Sequence, residues 1–198
     1  MMNIWQLNLE KVMDKTELGI WLNKNVTSFS SSKIVKLAPG AFSNQSDLTS
    51  INLPNVTILP PYAFYECYNL TQFITGKLTR LGDFSLMGCY LIPSLDVSGV
   101  KYLGRNVFGG NHLTELKVLD FKNLETMSYN CFWKSTFEKI WLPSTCVIIG
   151  ENFHEKASEV DTVIYTDATE KPSSWDNEWN YCGHTVMWGS THEEFENA

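Results

Sequence analysis

Five cysteines, four histidines and 22 aspartates plus glutamates are the side chains from which a catalytic or metal site could be assembled. A thiol nucleophile needs a base held beside it. Only Cys182 has a histidine close by in sequence, at His184, and with His192 and Glu193 further on this is the one stretch whose spacing hints at a metal. Structural zinc takes paired ligands, C-x2-4-C or H-x3-5-H, and one cysteine among scattered histidines does not supply them. No metal and no cofactor is therefore expected. The pair Glu193-Glu194 lies in the terminal stretch THEEFENA, which reads as part of a solvated acidic tail over residues 190–198. There is no Gly-rich phosphate loop, no G-x-S-x-G elbow and no H-E-x-x-H. These residues describe a chain that is not an enzyme.

The elements that would hold such side chains come next. The chain has 198 residues, of which 43% are hydrophobic and 19% charged, enough to bury a core as one domain. Fifteen Lys plus Arg against 22 Asp plus Glu give a formal charge of -7, the wrong sign for a nucleic-acid backbone or an anionic membrane surface. No stretch reaches the roughly 18 apolar residues of a membrane span, so no membrane insertion is expected. Residues 1–19 mix Asn3, Gln6, Glu10, Lys11 and Asp14 among apolar side chains and do not read as a secretory signal. Trp5, Leu9, Val12 and Met13 recur at helical spacing with Ile4 beside them, which predicts a short amphipathic helix. Two readings stand for it: a cap on the first coil, or a segment that docks on a larger assembly.

From residue 20 to 165 the chain repeats itself. A first apolar slot holds Leu37, Leu59, Leu81, Leu103, Met127 and Ile149, at spacings of 22, 22, 22, 24 and 22. A second holds Phe42, Phe64, Leu86, Phe108, Phe132 and Phe153; a third runs Val26, Leu48, Leu70, Ile92, Leu113, Phe137 and Val160. Three residues after the third comes a fourth, Phe29, Ile51, Phe73, Leu95, Leu116, Ile140 and Val163, giving an L-x-x-I-x-L strand in each repeat. One such coil cannot bury its own slots; a stack of coils buries them together, which is why a period near 22 means a solenoid. The expected fold is mainly β: a right-handed leucine-rich-repeat solenoid of about seven strands with a parallel sheet.

The segments Ala41-Phe42, Ala63-Phe64-Tyr65-Glu66-Cys67-Tyr68-Asn69-Leu70 and Leu86-Met87-Gly88-Cys89 resemble the AF-x-x-C-x-x-L core of the BspA-like, or type-five, leucine-rich repeats. Residues 166–189, with Pro172 to Trp179 and Val186 to Gly189, are similar to the end piece of bacterial and phage members and read as an aromatic cap. Cysteine is replaced at Gln45, Asn111 and Ser135. Cys67 and Cys89 fall in adjacent coils, about 5 Å apart at backbone level, which suits either a bridge or, more in keeping with side chains that point the same way, two buried thiols. Asn25-Val26-Thr27, Asn44-Gln45-Ser46, Asn55-Val56-Thr57 and Asn69-Leu70-Thr71 match the glycosylation pattern, and repetition of solvated positions accounts for them.

A solenoid works through the outward row of its sheet. Alternation assigns to that row Ser50 and Asn52, Gln72 and Ile74, Ser94 and Asp96, Glu115 and Lys117, Lys139 and Trp141, then Thr162 and Ile164. Trp141 beside Ile164 is either an anchor for a partner or a spot that a loop or the C-terminal cap covers. The resemblance implies attachment, as in bacterial surface adhesins and phage particle proteins. The expected function is a virion component (fibre, decoration or tail-associated) meeting a protein or glycan surface, with other virion proteins or a second copy as further partners. A cell-surface adhesin and an intracellular scaffold are the alternatives.

Overall fold

A computed structural model describes residues 26–110, 116–135, 137–152 and 161–198. The predicted helix with Ile4, Trp5, Leu9, Val12 and Met13 lies outside them, as do Leu113, Glu115, Phe153 and Val160. Over the described residues the chain winds through about seven turns of a β-solenoid. Among the described residues twelve short strands and one helix make up the regular structure: β1 Ser28–Ser30, β2 Ser50–Leu53, β3 Ile58–Leu59, β4 Gln72–Thr75, β5 Arg80–Leu81, β6 Tyr102–Leu103, β7 Val118–Asp120, β8 Thr126–Met127, β9 Lys139–Trp141, β10 Val147–Ile148, β11 Val163–Thr166, β12 Val186–Trp188, and α1 His192–Asn197.

The strands fall on two faces. One face carries a five-stranded sheet in the order β3-β5-β6-β8-β10; the other carries β1-β2-β4 and then β7-β9-β11-β12, and every pairing is parallel. The register is that of the repeat: Leu59, Leu81, Leu103 and Met127 align across the first face, and Phe29, Ile51 and Phe73 across the second. Between the faces the phenylalanine slot stacks along the axis, with Phe42 and Phe64 parallel at 5.0 Å and Phe108 and Phe132 parallel at 5.9 Å. All four rings are buried, as is Leu86 between them. The driving force is burial of apolar surface at about 25 cal/mol per Å².

The third side of each coil is a tight turn built on residues in the left-handed region. Gly40, Tyr62, Phe84, Asn106 and Asn130 occupy one such position, and Asn44, Glu66, Gly88, Gly110 and Lys134 the second, four residues on. For a non-glycine this costs on the order of 1–3 kcal/mol, and it persists only where the surroundings enforce it. Here the enforcement is a ladder of amides: Tyr62, Phe64 and Glu66 N–H groups donate to the carbonyls of Asp83, Ser85 and Met87 in the next coil, at 2.8, 2.9 and 2.8 Å.

Four assignments made from spacing shift on the structure. Ile148, not Ile149, pairs with Met127, and Ile149 is 50% exposed. In the coil lengthened to 24 residues the inward strand residue is Leu119, which aligns with Ile140, so Leu116 falls three residues early. In β11 the inward residue is Ile164, again opposite Ile140, and Val163 lies opposite Lys139. The third coil has no strand on the second face: the Pro93 to Val97 segment runs between β4 and β7 without joining either sheet. Proline has no N–H to give a ladder, which explains the gap.

The ending differs from expectation as well. β12 adds a further strand to β11, so the sheet continues through residue 188 into the stretch read as a cap. Residues 192–197, read as solvated tail, are helical. Thr191 accepts from the Glu194 N–H at 3.2 Å, while its own N–H donates to the Glu194 carboxylate at 2.7 Å, which is a capping box.

Candidate interaction surface

Burial disposes of four of the five thiols. Cys67, Cys89, Cys131 and Cys146 are buried and unbridged, and Cys182, partly buried, is also outside any disulfide. Burial pushes Cys67 and Cys146 up to about 12 and raises Cys89 and Cys131 as well, so none offers a thiolate near neutral pH. Cys67 and Cys89 instead donate Sγ–H to the carbonyls of Phe42 and Phe64, at 3.0 and 3.1 Å. Ser135, which looked like a departure from the repeat, does the same: its hydroxyl donates to the Phe108 carbonyl at 2.6 Å. The repeat position asks for a small donor, and serine satisfies it.

The stretch from Cys182 to Glu193 does not converge on one site. His184 is buried against Asp161, 3.1 Å from Nδ1, and its main chain is held by the Asn180 side chain. His192 lies elsewhere, between Asp120 on Nε2 at 3.0 Å and Glu196 on Nδ1 at 3.2 Å. Asp120, His192 and Glu196 bring one ligand atom each within 4.8 Å of one another. The carboxylates sit on opposite nitrogens of the ring, and the Lys122 ammonium bridges them at 3.4 Å from Asp120 and 3.2 Å from Glu196. Their charges are met by a cation of the protein itself. Glu196 holds the Lys122 ammonium above its ordinary range, and Lys122 in turn draws the Glu196 carboxyl below its own. The asparagines of the glycosylation-like triplets serve the stack too: Asn55 and Asn69 Nδ2 donate to the carbonyls of Ser32 and Ser46.

The outward row of the second face divides into two halves. In the first, Ser50, Asn52, Gln72 and Ile74 stand outward on β2 and β4, with Ile74 53% exposed and the Ser50 hydroxyl donating to Gln72 Oε1 at 3.2 Å. Ser94 and Asp96 continue the row as exposed residues of the irregular third coil. Next comes a cleft of about 460 Å³ lined by Pro93 to Asp96 and Leu116 to Val118. Its floor is the break in the sheet.

In the second half the row is Val118 and Asp120, Lys139 and Trp141, Val163 and Tyr165. Lys117 is displaced from it to the mouth of the strand, where its Nζ lies 3.6 Å from Glu138. Thr162 and Ile164, expected outward, are both buried: the Thr162 hydroxyl donates to the Phe137 carbonyl and Ile164 fills the core. Trp141 is 5% exposed, and what covers it is α1. Phe195 of that helix places its ring 5.9 Å from Trp141 and 5.5 Å from Tyr165, and His192 meets the Trp141 ring edge-on at 5.0 Å. Lys139 reaches over the Phe195 ring at 4.8 Å and donates to the Phe195 carbonyl at 2.6 Å. Gly189, in the left-handed region, turns the chain back from β12 toward this face.

The sequence reading missed Tyr165, Asp120, Lys122 and the whole helix. A signal for the helix was present: Thr191-His192-Glu193-Glu194 is the T-x-x-E capping pattern, followed directly by an aromatic residue.

The open end of the stack is closed by tryptophans. Trp175 and Trp179 are buried in edge contact at 4.6 Å, and Trp175 Nε1–H donates to the Cys146 carbonyl at 3.1 Å. The family model for the BspA type leucine rich repeat region matches residues 19–136 and 79–174, in 6 copies. The chain belongs to the BspA-type leucine-rich-repeat family. No curated protein matches the sequence. The repeat family points to a protein-binding or structural module, in agreement with a surface built for contact over a length of sheet.

Proposed function

We propose that this BspA-type repeat protein is a non-enzymatic contact module that binds a protein partner on the outward row of its second sheet face. The observation that carries the reading is the seating of α1 on that row by an aromatic anchor and ion pairs, the kind of contact a polypeptide partner would make there. A sugar ligand is less well matched: the turn-side rings lie flat on each other, Tyr62 on Phe84 at 4.9 Å and Tyr68 on Tyr90 at 5.3 Å, so one face of each ring is already used.

The finer reading, supported by similarity of the end piece to that of phage and bacterial members, is an attachment component of a virion. Immunogold microscopy of a culture making the protein tests it. Label on phage-like particles is expected; envelope label assigns the protein to the cell surface as an adhesin, and purely cytosolic label rejects both. A photo-crosslinking residue placed at Gln72 or Ile74 should then capture the same partner, while one at Ile149, on the other face, should not.

A further inference from the structure

We infer that the second half of the sheet face is a receptor for an acidic, aromatic-anchored segment of a partner protein, and that α1 is its resident intramolecular occupant. The inference deepens the contact-module reading and rests on it. Three observations meet here. The floor is specific: Trp141 and Tyr165 form an apolar seat, flanked by Lys139, which donates to the Phe195 carbonyl, and by Lys122, which stands between Asp120 of the floor and Glu196 of the occupant, in a protein whose net charge is -7. The occupant has the complementary chemistry, one buried Phe195 among Glu193, Glu194 and Glu196. The occupant is also small. Six helical residues are too few to hold a helix in isolation, so α1 depends on the seat for its form.

Displacement needs an advantage over a tethered competitor, whose effective concentration is on the order of millimolar. The geometry supplies one. The open half of the same row begins across the cleft, with Ile74 exposed there and Val118 exposed on the near wall of the cleft. A partner segment that fills the seat and continues over the cleft gains contacts that α1 does not make. Partner binding and release of α1 are then the same event.

The test uses a fluorescein-labelled peptide of residues 189–198 as probe, titrated by anisotropy against the full chain and the full-length Phe195→Ala variant. Phe195→Ala removes the anchor from the seat and changes no residue of the solenoid; a thermal melt matching the parent confirms that it is folded. The expected result is at least tenfold tighter binding to Phe195→Ala than to the parent, lost when the peptide carries the same substitution or when Trp141→Ala is added to the chain. Equal binding to parent and folded Phe195→Ala overturns the proposal and makes α1 a fixed part of the fold. A parent chain that is dimeric in solution, and becomes monomeric with Phe195→Ala, also overturns it by giving the seat to a second copy. Neither failure touches the contact-module reading, which stands or falls with crosslinking at Gln72 and Ile74 on the open half.

Discussion

The two halves of one sheet face share a repeat and a core, and differ most in what stands outward. On β2 and β4 the outward residues are Ser50, Asn52, Gln72 and Ile74, and none of them lies beneath α1. On β9 and β11 they are Lys139, Trp141, Val163 and Tyr165, and a helix has folded over the two aromatics. Inward positions of a solenoid are constrained by stacking, since each must match its neighbours in the coils on either side. Outward positions are free of that demand. They are where a chain of this family can write a binding preference, and where an aromatic choice obliges it to supply a cover or a partner.

The comparison rests on both halves sharing a single core, and raising the pH is the severest way to break it. Cys67 and Cys89 lie beneath the open half, Cys131 and Cys146 beneath the covered one, all held protonated by burial. A thiol whose folded value is raised stabilises the fold fully below its ordinary value of 9.0, and that contribution is lost as pH climbs through the raised value, about 12 for Cys67 and Cys146. Circular dichroism across pH 9 to 12 should therefore show a loss of structure in one transition. Two separate transitions would mean that the break at Pro93 divides the stack into independently folding parts. A single substitution acts through the same core. Phe64→Ala removes a ring stacked on Phe42 and in edge contact with Phe73 at 5.1 Å, and should cost about 3–5 kcal/mol in denaturant unfolding.

Phe195→Ala probes the other side of the comparison. Its ring is as well buried as a core residue, yet it belongs to a cover. Loss of its burial should weaken attachment of α1 by about 1.5–3 kcal/mol. Hydrogen exchange of residues 192–197 should then rise to near the unprotected rate, while the unfolding midpoint of the solenoid moves little. A large drop in the midpoint would show that the cover is integral to the fold and that the two halves are not comparable surfaces.

Much of this was legible in the sequence because stacking enforces it. Leu59, Leu81, Leu103 and Phe42, Phe64, Phe108 recur without a slip, and their buried, aligned places follow. Legibility fails where the period changes. The lengthened coil between Leu103 and Met127 lets Leu116 and Leu119 compete for one slot, and the pattern L-x-x-I-x-L fits the wrong one. At Ile148-Ile149 and Val163-Ile164 two β-branched neighbours fit equally well, and only pairing to the adjacent strand decides between them. A one-residue slip reverses every side chain, so Tyr165 was hidden and Ile164 placed outward. The cover over Trp141 was harder still: its capping box is local, but its seat is formed by residues 30 to 74 positions away, which no spacing reveals.

The smallest effect concerns the turn side, where the two halves use different chemistry for one task. Cys67 and Cys89 in the open half, and Ser135 in the covered half, each donate to the carbonyl of the phenylalanine in the preceding coil. If the position asks only for a small donor, Ser135→Cys should change stability by a few tenths of a kcal/mol at most, since the thiol takes over the bond. Ser135→Ala should cost about 1 kcal/mol, because the Phe108 carbonyl loses a partner in a partly buried place. Paired denaturant curves measure both. Should alanine equal serine while cysteine destabilises, the position would be governed by volume instead, and the thiols at 67 and 89 would be there to fill space rather than to tie one coil to the next. The hydroxyl bond at 2.6 Å is within the range of a well-formed O–H···O bond, which favours the donor.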